Sequence, residues 1–350
     1  MIRSHAGEYT VSFEPDALSR LNDRPGGAMH LIVDATVARL YAGELGTALA
    51  GPSVLIVEAS EAAKSLERFP DYVNHLVARG VRRHHRLVAI GGGVIQDITS
   101  FLAAVLLRGL PWEFYPTTLL AQADSCIGSK SSINVGSAKN VLGTFTPPTA
   151  IRVATPVLAT LSDADRRSGV GEMLKVHAVA GPASFDAIAA DYEALLRDAG
   201  LMQRYIRRSL EIKKALVEAD EFDRGVRLVM NYGHTFGHAL EASTGYAIPH
   251  GIAVTIGMDM ANFVAARLHL SPEAHFTRMH PVLRRNYAGL ERPVDLRDFL
   301  ASIGRDKKNT DRELSLILLD EHGAVRLLRH ASDRAFSDAC GEYLDRVLAP

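Results

Sequence analysis

Cysteine, net charge and long apolar runs are scarce in this sequence. Two cysteines, Cys126 and Cys340, among 350 residues supply no disulfide framework, which excludes the small cross-linked scaffolds of secreted proteins and favours a reducing compartment. Lys plus Arg number 39 against 40 Asp plus Glu, a balance of −1. That leaves no global field for nucleic acid or an anionic membrane, although a balanced total can hide a locally basic pocket. No stretch reaches the roughly 18 apolar residues of a membrane span, and MIRSHAGEYTVSFEPD carries charges where a signal peptide needs an apolar core. Internal repeats and low-complexity segments are missing too. The expectation is a cytoplasmic protein that engages neither membrane nor nucleic acid.

What is present fits a folded globular chain: 47% apolar residues, 23% charged residues and a mean hydropathy of +0.03. A length of 350 residues exceeds what one hydrophobic core usually organises, so two domains are expected. Over the first 150 residues, short β-like runs (29–35, 53–59, 85–93) each precede a longer amphipathic stretch, with further strands at 112–118 and 149–155. This is βαβ punctuation and predicts a parallel sheet. From Ser162 the periodicity turns helical, predicting helices over 163–179, 183–198, 200–221, 228–243, 251–268 and 272–286, then a hairpin at 314–329 and a final helix over 332–347. The fold class read from this is α/β, with a Rossmann-like parallel-sheet domain over 1–155 and a mainly α-helical domain over 156–350. The basic run RRHHR, 82–86, reads as a solvated turn or helix end before a strand.

Three segments carry candidate chemistry. In LVAIGGGVIQD a strand enters Gly91, Gly92 and Gly93, with a helix expected from about Asp97. Glycines let backbone N–H groups approach a phosphate, and a helix N-terminus adds its positive dipole end. Asp34, closing an earlier strand, is placed either to accept ribose hydroxyls or to serve a turn. In PTTLLAQADSCIGSKSSINVGSAKN, residues 116–140, the residues Thr117, Thr118, Asp124, Lys130, Asn134, Lys139 and Asn140 lie in a segment with little periodicity. Ammonium and amide groups on such backbone make an anion cradle or a polar surface loop. Further on, Glu172 and Lys175 stand three apart on a predicted helix beside GVGE, whose small residues allow close helix approach. Arg227, Asn231, His234 and His238 step by four, three and four, one face of a predicted helix, and His250 follows. Two histidines and a carboxylate with an open position form a common catalytic zinc arrangement. Spacing alone leaves open whether His238 or His250 completes the set.

Taken together, EASEAAK (58–64), GGGVIQD (91–97), RGLPWEFYPTTLLAQADS (108–125), GSKSSIN with KN (128–140), GVGEMLK (169–175), ADEFDRGVRLVMNYGHTFGHALE (219–241), PHG (249–251) and RDKKN (305–309) closely resemble the sugar-phosphate cyclases, in particular the 3-dehydroquinate synthases. The resemblance implies a zinc site of Glu172, His234 and His250, with cobalt as a substitute ion, and His238 turned to substrate phosphate. It implies NAD over Gly92, Gly93, Val94 and Asp97, with Asp34, Glu61, Lys64, Thr117, Thr118, Asp124, Lys139 and Thr160 around it. Lys130, Asn140, Asn231 and His238 would bind phosphate, Lys213 and Arg227 the substrate carboxylate, and Arg108 would reach the neighbouring subunit of a homodimer. Lys175 and one of Lys307 and Lys308 complete the polar set. The implied reaction turns a phosphorylated 3-deoxy-2-keto sugar acid into a carbocycle by transient oxidation, elimination of phosphate, reduction and aldol closure. The alternatives are another sugar phosphate as substrate, or a non-catalytic relative that binds metal and nucleotide. Gln96, Ser129, Ser132, Ala138 and Ile252 depart from the family pattern and suggest a divergent branch.

Overall fold

The computed structural model describes residues 1–24, 26–136, 138–304 and 313–348. The chain sorts into two compact units, one comprising Met1–Leu161 with Lys214–Phe222, the other Ser162–Lys213 with Asp223–Pro350.

In the first unit, strands β1 (Ile2–Ser4), β2 (Gly7–Phe13), β3 (Met29–Asp34), β4 (Val54–Val57), β5 (Arg86–Gly91) and β6 (Trp112–Pro116) precede a short ladder of β7 (Ile133–Val135) and β8 (Ala138–Leu142), then β9 (Ala150–Val153). Seven of them form one sheet in the order β1-β2-β9-β6-β5-β3-β4. All its pairings are parallel except β1 with β2. The central strands read as near-continuous apolar runs because both faces are covered: Leu87, Val88, Ala89 and Ile90 are each fully buried. Register brings Gly91 opposite Pro116 and Val33 opposite Ile90, so β3, β5 and β6 end together. A crevice at the carboxyl ends of such strands is the usual ligand position in open α/β sheets.

The N-terminal hairpin β1–β2 was not expected from the sequence, because its burial pattern alternates weakly and its turn residues are exposed. Part of the segment read as aperiodic, 116–140, is ordered as a π-helical turn, Ala121–Ser125, and as β7 with β8. The helix after the glycines begins at Gly93, earlier than Asp97, since Gly92 already takes the capping position. The basic run is only partly solvated: His85 Nδ1 lies 2.9 Å from Nε2 of the buried His30, and Arg86 pairs with the buried Glu113.

The second unit is built around helix His250–Arg267, buried at every position from Gly251 to Ala265. A helix buried on all sides belongs inside a bundle, and it packs against helices Asp163–Val179, His234–Ser243, Glu273–Tyr287 and Arg334–Tyr343. Strands β10 (Glu313–Leu319) and β11 (Val325–Ala331) form the expected hairpin. Two helical expectations need correction. The segment 183–198 is two helices, Pro182–Ala190 and Tyr192–Leu195. The segment 228–243 is a 3₁₀ turn, Val226–Asn231, and a separate helix from His234, because Gly233 adopts φ +79° between them. The regular stripe from Arg227 to His238 therefore does not exist. Among the described residues, no helix is long and apolar enough to cross a membrane.

Candidate functional site

Two clusters of predicted residues assemble, one within each unit. In the first, β5 delivers Gly91 to the start of helix Gly93–Val105, whose N-cap Gly92 offers no side-chain bond to the first turn. Among the described residues, a Cβ placed on Gly93 would meet nothing within 4 Å. Nothing described fills the space there, so backbone donors are open to a ligand's approach. Asp34 does serve the turn, accepting from Thr36 N at 2.7 Å and Val37 N at 3.2 Å through one oxygen. Thr117 N bonds to Gly91 O at 2.9 Å, and Thr118 accepts from Ala121 N.

Beside the glycines, Lys64 Nζ is 3.1 Å from Asp97 Oδ2, 3.0 Å from Asn140 Oδ1 and 3.3 Å from Glu61 Oε1. Asp97 also accepts from Ser132 N at 2.9 Å, while Asn134 bridges Glu61 Oε1 and the backbone N of Asn140, each at 2.9 Å. Burial pushes Asp97 up to about 6 against the pull of Lys64. Although its own burial acts the other way, Asp97 and Glu61 hold Lys64 above its ordinary value. Asn140, expected at phosphate, thus spends its carboxamide oxygen on Lys64. Asp124 is buried, and Lys130 is bridged to Phe145 by backbone pairing. Thr160 is engaged with Tyr41 at 2.8 Å. Arg108 is exposed in a left-handed turn at φ +67°.

In the second unit, helix Asp163–Val179 carries Glu172 and Lys175, 2% and 3% exposed, so this pair is not a surface ion pair; Lys175 Nζ lies 2.8 Å from Glu172 Oε2. The other carboxylate oxygen faces two imidazoles: Oε1 is 3.7 Å from His234 Nε2 and 3.3 Å from His250 Nε2. Ligand atoms around a tetrahedral zinc with bonds of about 2.0–2.1 Å stand roughly 3.4 Å apart. On the far side of each ring Nδ1 is engaged, by Tyr232 O at 3.2 Å for His234 and by both Glu241 oxygens at 3.2 Å for His250. Those contacts turn each Nε2 inward and fix its tautomer, the outer-shell arrangement of metal-binding histidines. The donor set therefore fits a divalent cation.

His238 joins the same group: ligand atoms of His234, His238 and His250 lie within 4.8 Å of one another, with His238 the exposed member. Despite its burial, Glu172 is held well below the usual carboxylate range by Lys175 and the imidazoles. Burial keeps His234 well below its ordinary value, whereas Glu172 and Glu241 overcome burial and raise His250 to about 10. Lys213 and Arg227 are both buried, 7% and 4% exposed, and Asn231 donates to Leu228 O at 3.0 Å. Lys307 and Lys308 lie outside the described residues. Sequence reasoning missed Glu241, though it stands three residues after His238 on the same helix, a spacing that could have revealed it. It also missed the carbonyl of Tyr232, which has no sequence signal.

Models of the 3-dehydroquinate synthase N-terminal and C-terminal domains match residues 54–168 and 169–309. A 3-dehydroquinate synthase of Paracoccus denitrificans is 38% identical over 312 residues, 85% of this chain and 83% of that protein. One from Dictyoglomus thermophilum is 34% identical over 306 residues, 87% and 86% of the two chains. Among solved structures, the valiolone synthase ValA (2-epi-5-epi-valiolone synthase) of Streptomyces hygroscopicus, with NAD⁺ and Zn²⁺ bound, is 28% identical with a TM-score of 0.84, covering 97% of each chain. A 2-deoxy-scyllo-inosose synthase, 23% identical over 95% of this chain and 96% of that one with a TM-score of 0.83, shares the fold.

Proposed function

The chain belongs to the 3-dehydroquinate synthase family, and from that premise we propose that it is a carbon–oxygen lyase closing a 3-deoxy-2-keto sugar acid phosphate, of the 3-deoxy-arabino-heptulosonate 7-phosphate class, into a carbocycle with loss of phosphate. The observation that carries this reading is the buried Glu172 oxygen facing two imidazoles whose outer nitrogens are already committed. Its cofactors are NAD, along the Gly92 to Asp97 turn, and zinc or cobalt at Glu172, His234 and His250. When bound, the dinucleotide supplies a reversible hydride acceptor, and the cation a Lewis acid for the alcohol oxygen being oxidised.

The chain's own residues hold charge and conformation. Lys175 neutralises the second oxygen of Glu172 and fixes that carboxylate's orientation. His238, the exposed imidazole, turns to the substrate phosphate together with Lys130, Asn140 and Asn231. Lys213 and Arg227, cations held in buried positions, receive the substrate carboxylate, for which a guanidinium offers paired donors. Lys64 and Asp97, with Asp34, Glu61, Val94, Thr117, Thr118, Asp124, Lys139 and Thr160, shape the dinucleotide side. A cytoplasmic homodimer completes the proposal, Arg108 reaching from its exposed turn to the neighbouring copy; two buried cysteines that form no disulfide are compatible with a reducing compartment.

The similarity to a valiolone synthase supports a second reading, in which another sugar phosphate is cyclised. Phosphate release measured on 3-deoxy-arabino-heptulosonate 7-phosphate, sedoheptulose 7-phosphate and glucose 6-phosphate, with zinc and catalytic NAD, decides between them. The acid substrate should turn over without accumulation of NADH, and Arg227→Met should lower its kcat/KM by about a hundredfold. Turnover of neutral sugars alone would refute the acid assignment. A fully active monomer would remove the role given to Arg108.

A further inference from the structure

Ser129, 5% exposed, holds a left-handed backbone at φ +65°, directly after Gly128 at φ +108°. Glycine adopts that region freely; serine does so against the steric clash of its Cβ. Two successive positive φ values set the direction in which the chain enters Lys130. The strained serine is held by a side-chain bond: its Oγ donates to Glu221 Oε1 at 2.7 Å. Glu221 is itself tied to the N-terminal hairpin, accepting from His5 N at 2.7 Å and lying 3.0 Å from His5 Nδ1. The ring of Phe222 packs against His5 and Phe145, with centroids 5.4 and 5.0 Å away. Phe145 is the backbone partner of Lys130. On the following residue, Ser131 N bonds to Thr144 O at 2.9 Å.

Lys130 is thus gripped from behind by a buckle of Ser129, Glu221 and His5, at its own position by the pairing with Phe145, and from ahead by the bond of Ser131 to Thr144. We infer that this buckle is a positioning device for the Lys130 ammonium, with Ser129 and Glu221 acting as positioning residues for the anion that Lys130 receives. The inference rests on the reading of Lys130 as a phosphate ligand. A lysine has a flexible four-carbon stem, so its usefulness as a point charge depends on how firmly its Cα is placed. Glu221 needs both oxygens here, one for the serine hydroxyl and one for the backbone of His5. That demand explains a carboxylate at this position, since an amide would offer a single acceptor.

The test uses the full chain loaded with zinc and NAD, and inorganic phosphate as probe, its affinity measured by calorimetry. Lys130→Ala sets the reference loss. Ser129→Ala and Glu221→Gln should each weaken phosphate by about threefold to tenfold, while NAD affinity stays within about twofold of the parent. The double variant should be no worse than the more damaging single one, because both changes open the same buckle. Ser129→Gly separates positioning from folding: its backbone is relaxed, so the melting temperature should match or exceed the parent's while phosphate affinity still falls. Parental phosphate affinity in Ser129→Ala and Glu221→Gln, alongside a loss in Lys130→Ala, would overturn the buckle alone. No loss in Lys130→Ala would overturn the phosphate reading and the buckle with it.

Discussion

A glycine and a histidine show how single residues divide between ligand binding and folding. Among the described residues nothing lies within 4 Å of a Cβ on Gly93, and its backbone already starts a helix. Gly93→Val should therefore leave the melting temperature within about a degree of the parent while weakening NAD by tenfold or more in a fluorescence titration, since its side chain would occupy the space left for the dinucleotide. Parental NAD affinity would move the dinucleotide away from this turn. His177 is the opposite case, a residue given no part in the chemistry although it shares the helix of Glu172 and Lys175. It is 2% exposed, its Nδ1 lies 2.9 Å from Ser184 Oγ, and its ring packs against Tyr205. Burial lowers it from 6.5 to about 4, so the folded chain keeps it neutral while the unfolded chain takes a proton. The stabilisation is complete above pH 6.5 and is lost as pH falls through about 4. It amounts to roughly 3 kcal/mol. Urea unfolding from pH 7 to pH 4 should show His177→Gln losing less stability over that window than the parent; parallel curves would contradict the burial argument.

At the scale of elements, the approach of two helices decides whether the metal-type donors meet. A Cβ on Gly171 would come to 2.2 Å from Gly251 O, and one on Gly251 to 1.9 Å from Ser168 O. Glu172 and His250 are the immediate neighbours of those glycines, so the contact that excludes a methyl group also sets the 3.3 Å spacing between the donors. Gly251→Ala should cost about 1–3 kcal/mol by overpacking and lower zinc affinity by about tenfold or more in competition with a chelator. Gly43→Ala, where the added carbon meets nothing within 4 Å among the described residues, should leave zinc affinity unchanged and cost no stability. Helix Asp163–Val179 was legible because its signals are local: Ser162 caps Asp165 N at 3.1 Å, and the small residues of GVGE announced the close approach. The break at Gly233 was not, because its cause lies elsewhere in the chain: a Cβ there would sit 2.6 Å from both Met258 Cγ and Val254 O. Lys64, Asp97 and Asn140 were each singled out, yet their mutual contact joins positions up to 76 residues apart and leaves no trace in periodicity. The bond from Ser129 to Glu221 spans 92 residues and was invisible for the same reason.

For the whole molecule, the charges gathered at the metal-type site link ligand binding to stability. Glu172 and Lys175 are almost completely buried in the second unit, and Glu241 stands against His250. Without a cation, the two imidazoles and two carboxylates must share protons around the buried Glu172, a costly arrangement that a divalent ion relieves by taking the Nε2 atoms and a carboxylate oxygen as ligands. An ion that binds the folded chain and not the unfolded one stabilises it by mass action, about 2.7 kcal/mol when its free concentration is a hundred times its dissociation constant. In scanning calorimetry, chelation should therefore lower the melting temperature by several degrees, and zinc or cobalt should restore it where magnesium does not, since imidazole donors suit the former ions. Glu172→Gln and His250→Ala should abolish the increment, whereas His238→Asn, altering the exposed imidazole, should keep most of it. That last comparison separates the two ligand sets compatible with the spacing of the histidines. Loss of the zinc increment in His238→Asn, with retention in His250→Ala, would assign the cation to His234 and His238 and withdraw His250 from the site.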